Sequence, residues 1–224
     1  MIRVGVYYAP EIDDPLFAAG ATWLGRDPET GAPTPQPDVP AIAEITAEPR
    51  KYGFHATLKP PMRLAPGVRL ATVTDAAADL AASIAPFDLP TLEVADLHGF
   101  LALRETTPCP ALQALADLCV AGLDSFREAP DEAELARLRR AGLSAAQDAL
   151  LRRWGYPYVF GAWFFHMTLT RRLDAREHEL YRPAAERHLA RALREPRRLG
   201  AICLFTQTAS DQPFLMTKRL PLRG

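Results

Sequence analysis

The chain has 224 residues, with 26 basic and 27 acidic side chains and a formal net charge of −1. Its 48% hydrophobic and 24% charged content is that of a folded globular chain and excludes a disordered or fibrous polymer, and the balanced charge argues against gripping long nucleic acid or an anionic membrane by bulk electrostatics. No apolar run approaches the roughly 20 residues of a membrane span, and the stretch from Met1 to Asp14 lacks a secretory apolar segment, so a cytoplasmic location without membrane contact is expected.

In chain order, Ile2 to Tyr8 reads as a strand stopped at Ala9-Pro10, and Leu16 to Leu24 has helical apolar spacing. From Arg26 to Pro49 six prolines exclude a continuous helix or central strand, leaving an ordered loop or lid with a helical turn or two around Ala41 to Ile45. Phe54 to Leu64 reads as a strand broken by Pro60-Pro61, and Thr72 to Ile84 as an amphipathic helix. Phe87 to Val94 and Gly99 to Arg104 read as two strands meeting near His98-Gly99. Leu112 to Phe126 and Asp131 to Arg153 are expected to be helices, and Tyr158 to Thr170 a strand. Ala175 to Leu193 is read as a helix, with a closing hairpin of Ala201 to Thr208 and Phe214 to Leu220. Cys109, Cys119 and Cys203 form no CxxC pair and are expected to be free thiols rather than disulfides or zinc ligands.

The informative feature is a repeated phrase. Phe54-His55-Ala56-Thr57-Leu58 and Phe165-His166-Met167-Thr168-Leu169 are both Phe-His-x-Thr-Leu, separated by about half the chain. At this composition a second copy arises by chance on the order of 0.002 times per sequence. In a strand, residues i and i+2 share a face, so His55 projects with Thr57 and His166 with Thr168, while the intervening apolar residues face a core. Two imidazoles and two hydroxyls meeting in a cleft suit phosphodiester chemistry. One neutral imidazole takes a proton, one imidazolium gives a proton to the departing oxygen, and the hydroxyls hold phosphoryl oxygens. This chemistry calls for no metal and no cofactor.

These motifs resemble those of the two-histidine (2H) phosphoesterases, whose signature is a pair of His-x-Thr/Ser-hydrophobic motifs. Trp23-Leu24-Gly25-Arg26-Asp27 and Tyr52-Gly53-Phe54-His55-Ala56-Thr57-Leu58-Lys59 resemble a branch of that superfamily often encoded beside carbon–phosphorus lyase genes for phosphonate breakdown. The resemblance implies a two-lobed pseudo-symmetric α+β fold, each lobe an antiparallel sheet with outer helices and a His-x-Thr-Leu strand facing a central cleft. It implies a single bilobal domain, with lobe 1 roughly 1–107, a helical insertion roughly 108–153 and lobe 2 roughly 154–224, strand exchange between lobes being an open alternative. The implied activity is hydrolysis of a small cyclic phosphate, such as 5-phosphoribosyl 1,2-cyclic phosphate.

His55, His166, Thr57 and Thr168 are therefore the candidate catalytic residues. Lys59 and Thr170 continue the strand parity and Tyr7 offers a ring for stacking, which makes these three candidate substrate contacts. His98 is expected in a turn, His178 and His188 on a solvated helix face, and Arg187, Arg191, Arg194 and Arg198 on a basic stripe. The expected partner is a small phosphorylated sugar or nucleotide. RNA ends, through a 2′,3′-cyclic phosphate or a 2′-5′ linkage, are a second reading that the balanced charge disfavours, and a non-catalytic phospho-sugar or nucleotide sensor is a third.

Overall fold

The computed structural model describes residues 2–140 and 142–224. Strand β1 (Arg3–Tyr8) alternates strictly: Val4, Val6 and Tyr8 enter the main core, while Tyr7 belongs to a second, smaller cluster. Helix α1 (Pro15–Leu24) starts where Asp14 accepts the Leu16 N–H at 2.8 Å, with proline in its first turn, and ends at Gly25, whose φ of 81° is the left-handed stop. Two short helices, α2 (Ile42–Ile45) and α3 (Ala47–Arg50), punctuate the proline-rich stretch, which is packed through Ile42, Ile45 and Pro49 rather than hanging as a lid.

Strand β2 (Ala56–Arg63) carries the first motif and helix α4 (Leu70–Ala82) follows it. Next come β3 (Phe87–Leu89), β4 (Leu92–Leu97) and β5 (Phe100–Glu105). The β4–β5 hairpin turns on His98 and Gly99, both at positive φ (57° and 93°), as a two-residue turn of this hand requires. Helices α5 (Pro110–Gly122), α6 (Glu132–Arg139) and α7 (Ala145–Trp154) precede β6 (Met167–Arg172), which carries the second motif. Helix α8 (Ala175–Leu193), started by a capping box of Asp174 and Glu177, leads to β7 (Arg197–Leu199), β8 (Ala201–Gln207) and β9 (Leu215–Pro221).

The architecture is α+β. A seven-stranded antiparallel sheet runs β4-β5-β6-β2-β1-β8-β9, beside a two-stranded ribbon of β3 and β7. Between β2 and β6 a single pair, Ala56 with Met167, joins the two halves of the sheet. Each half mixes early and late chain: β8 and β9 complete the half that carries His55, and β4 and β5 complete the half that carries His166. Helix α4 packs on β8 and β9, α5 on β2, and α8 on β4 and α1, covering one face over the main core. The other face holds the smaller cluster of Tyr7, Ala9, Phe17, Cys203, Phe205, Phe214 and Met216. Among the described residues, no helix is long and apolar enough to cross a membrane, and all three cysteines are free thiols.

Several expectations need correction. Strand β2 continues through Pro60 and Pro61, because it pairs with β6 only at Ala56, so beyond that point a missing N–H leaves no ladder bond unmade on that side. The aromatic stretch from Tyr158 is not a strand until Met167: a 3₁₀ turn at Phe160–Ala162, with Phe160 at φ 52°, intervenes. The region read as one helix from Asp131 to Arg153 is two helices, separated at Gly142 with φ 74°. The basic stripe is interrupted, since α8 ends at Leu193 and Arg198 lies on β7. His188 is not a solvated surface residue: its Nε2 lies 2.9 Å from the Ala19 carbonyl and 3.2 Å from Thr22 Oγ1. His178 is likewise largely covered, its side chain 19% exposed beside Asp96.

Candidate active site

The single pair at the seam fixes the site. Ala56 lies opposite Met167 in antiparallel register, so the flanking His55 and Thr57 of one motif are brought beside His166 and Thr168 of the other. The burial pattern follows the same alternation. Phe54, Ala56, Leu58, Phe165, Met167 and Leu169 are buried on the helix side, and the two histidines and two threonines are half-buried on the other. The cleft surface reflects the pairing. One cavity of about 310 Å³ includes His55 and Thr168, with Glu48, Pro49 and Tyr52 at its border. The neighbouring cavity of about 590 Å³ includes Thr57 and His166 under an aromatic wall of Tyr156, Tyr158, Trp163 and Phe164. Phe100 and Arg172 line both.

Each imidazole is oriented by a carbonyl two residues back. His55 Nδ1 lies 2.9 Å from the Gly53 oxygen and His166 Nδ1 lies 3.1 Å from the Phe164 oxygen. A carbonyl only accepts, so each Nδ1 carries its proton and each neutral ring keeps the Nε2 lone pair for chemistry. His55 Nε2 is 3.3 Å from Thr57 Oγ1. The His55 ring stacks on Tyr7 with centroids 3.9 Å apart, and His166 has Phe164 at 4.8 Å. Burial pushes His55 down to about 4, against the Gly53 carbonyl, which favours the protonated ring; the positive potentials of His166 and Arg26 lower it further. His166 is also lowered by burial, again opposed by its carbonyl partner.

Two indoles brace the motif strands from opposite sides. Trp23 Nε1 donates to the Leu169 carbonyl at 3.0 Å, and Trp163 Nε1 donates to the Thr57 carbonyl at 2.8 Å. The Trp-Leu-Gly-Arg-Asp phrase thereby acquires a physical role. Its Trp23 holds the second motif, and Arg26 donates to the carbonyls of Arg50 (2.8 Å) and Lys51 (3.3 Å). Those contacts order the loop that ends in Gly53 and hence orient His55.

Of the further candidates, Tyr7 is fully buried under His55 and supports that ring. Thr170 lines the first cavity, yet its Oγ1 accepts the Leu101 N–H at 3.0 Å, where the β5–β6 register slips. Lys59 does not line either histidine cavity. The register of β2 on β1 jumps from Thr57–Tyr7 to Lys59–Val6, breaking the alternation, and the buried ammonium donates to the Val120 carbonyl at 3.0 Å with Asp124 at 3.6 Å. Arg172 was missed by sequence reasoning. It lies two steps of alternation beyond Thr168 and closes both halves of the cleft, so the parity that picked out Thr170 would have found it if carried one step further.

A family model described as "Protein of unknown function (DUF1045)" matches residues 57–215, which include both threonines and His166. The chain belongs to the DUF1045 family. Among curated proteins, this DUF1045 chain is 40% identical over 233 residues to "Ribose 1,5-bisphosphate phosphokinase PhnN" of Janthinobacterium sp. (strain Marseille), a match covering 100% of the chain and 51% of that protein. It is 36% identical over 219 residues to the protein of the same name from Laribacter hongkongensis (strain HLHK9), covering 97% and 51%. The chain thus spans about half the length of these relatives. Solved structures similar to it include E. coli LigT complexed with 3′-AMP (15% identity, TM-score 0.45) and one titled "Crystal structure of phosphoesterase" (15% identity, TM-score 0.44), each match covering 99% of the chain and 98% of the solved one.

Proposed function

We propose that the chain is a phosphodiesterase that opens a small cyclic phosphate ester by paired-histidine acid–base catalysis. The observation that carries this is the shared lining of the cleft, where His55 and Thr168 border one cavity and Thr57 and His166 the cavity beside it. Water attacks phosphorus as one Nε2 takes its proton. The opposite histidine, entering the step as the imidazolium, gives its Nε2 proton to the ester oxygen as its bond to phosphorus breaks, leaving a ring-opened phosphomonoester. The hydroxyls of Thr57 and Thr168 and the Arg172 guanidinium stabilise the charge that gathers on the non-bridging oxygens.

The name borne by the relatives supports a ribose phosphate as substrate. Breaking the O2–phosphorus bond of 5-phosphoribosyl 1,2-cyclic phosphate yields ribose 1,5-bisphosphate, the compound in the name of proteins of which this chain spans about half. The aromatic wall of the larger cavity favours, as a second reading, a nucleoside 2′,3′-cyclic phosphate whose base stacks there. Phosphorus NMR in EDTA, offering both substrates, tests the reading. Turnover that survives chelation and falls roughly 10²- to 10⁴-fold in each of His55→Ala and His166→Ala is expected. Retained turnover in either variant, or none of either substrate by folded protein, overturns it.

A further inference from the structure

Beside the cleft lies a third cavity, of about 310 Å³, whose lining differs in character from the other two. Arg3, Lys59, Arg127 and Arg137 contribute to it, against the single carboxylate of Glu134. It adjoins both halves of the cleft through shared walls, since Tyr52 also borders the His55 cavity and Tyr156 the His166 cavity. The ring of Tyr52 is 6.3 Å from that of His55, so the cationic cavity begins one aromatic ring away from the reacting imidazole.

The charges there are only partly compensated. Asp124 takes Arg127 at 2.8 Å and Lys59 at 3.6 Å from behind, and Glu134 is held by Arg63 at 3.2 Å. Arg3 is held by the neutral amide of Gln207 and lies over the Phe214 ring, and Arg137 has no carboxylate partner among the described residues. Among the described residues, two guanidiniums without a carboxylate partner thus border a small polar hollow, with Lys59 in its wall and its ammonium turned to Val120 and Asp124. Burial, with Arg127 nearby, also holds the Lys59 ammonium down to about 8 against the pull of Asp124, a cost that a bound anion would relieve.

We infer that this cavity is a second anion subsite, which receives a terminal phosphomonoester of the substrate while the diester lies between His55 and His166. The inference rests on the phosphodiesterase reading for the orientation of the substrate, and it narrows that reading to sugar diesters carrying a second phosphate about one pentose away. Tyr52 and Tyr156 then flank the sugar, and Arg3 and Arg137 select its charge.

Calorimetry with ribose 5-phosphate, and ribose as the uncharged control, tests the subsite without requiring turnover. Ribose 5-phosphate is expected to bind more tightly than ribose, to weaken as salt is raised, and to lose roughly tenfold or more in affinity in Arg137→Glu and in Arg3→Met. His55→Ala and His166→Ala should retain the binding. If the histidine variants lose it and Arg137→Glu does not, the phosphate sits in the cleft and the subsite is refuted. Equal affinity for ribose and its phosphate refutes it as well. The kinetic counterpart is the ratio of kcat/KM for 5-phosphoribosyl 1,2-cyclic phosphate to that for ribose 1,2-cyclic phosphate, expected to collapse toward one in Arg137→Glu. Binding without turnover would retain the subsite and remove the catalytic reading, so the two fail separately.

Discussion

The ring of Tyr7 lies against that of His55, 3.9 Å between centroids and 23° from parallel. Gly5 makes this stack possible: a Cβ there would stand 2.7 to 2.8 Å from the Tyr7 ring and hydroxyl, so the tyrosine can lie back along its own strand only because position 5 has no side chain. Tyr7 is enclosed by Phe205 and its cluster and cannot retreat. Gly5→Val is therefore expected to cost about 1–3 kcal/mol through overpacking and to lower kcat/KM by displacing His55. Thermal unfolding together with steady-state kinetics measures both, and an unchanged kcat/KM would show that the stack does not position the histidine.

The depressed His55 predicts a pH dependence of stability with a definite sign. In the unfolded chain its imidazole takes up a proton near pH 6.5, whereas in the native protein it does so only at about 4. Between these limits the unfolded state binds more protons, so stability is fully present above pH 6.5 and falls as the pH drops toward 4, by about 2–3 kcal/mol for this residue. His166, lowered in the same direction, adds to the loss. Denaturant midpoints from pH 7.5 to 4.5 should show the decline, with a shallower slope in His55→Gln; an equal slope would acquit His55.

The same burial shapes catalysis. Because kcat/KM reports groups in the free enzyme, its acid limb is expected near the His55 value of about 4 rather than near 6.5. Because both imidazoles are held below their ordinary value, the range in which one is protonated and the other free, whichever plays each role, shifts to the acid side of pH 6.5. A pH–rate profile with its maximum above pH 7.5 would contradict this.

Arg172 lines both halves of the cleft. Arg172→Gln is expected to lower kcat/KM by roughly 10²-fold, in the range seen when one preorganised oxyanion donor is removed. Arg172→Lys should recover only part of the loss, since an ammonium lacks the planar two-pronged geometry. Full activity in Arg172→Gln would remove it from the phosphate-binding set.

Trp163 holds the first motif by the carbonyl of Thr57 rather than by its side chain. Trp163→Phe keeps most of the ring and removes the donor, so stability should fall by only about 1 kcal/mol, while kcat falls more than that loss alone explains because Thr57 is no longer pinned. Circular dichroism melts paired with kcat on the same preparations separate the two effects.

The quartet of His55, Thr57, His166 and Thr168 was legible because a repeated strand phrase fixes, by period two, which side chains share a face. Where the period slips, legibility stops: the jump between Thr57 and Lys59 in the register with β1 carries the ammonium away from the cleft, and no local pattern announces it. Tyr158 to Phe165 has strand-like composition, yet Phe160 and Gly161 turn the chain, a case of tertiary packing overriding β propensity. The company each strand keeps was also hidden. That β4 and β5 pair with β6, and β8 with β1, depends on contacts between distant residues, which periodicity along the chain does not encode.

That interleaving has a consequence for the chain as a polymer. A cut in the exposed turn at Gly142 would leave β1–β5 on one piece and β6–β9 on the other, and each half of the sheet draws strands from both pieces. Neither fragment retains a finished sheet, and each carries one histidine of the pair. The two pieces are thus built for mutual templating, so that activity would reappear only when complementary fragments meet, as a conditional assembly in which folding and function are restored in one event.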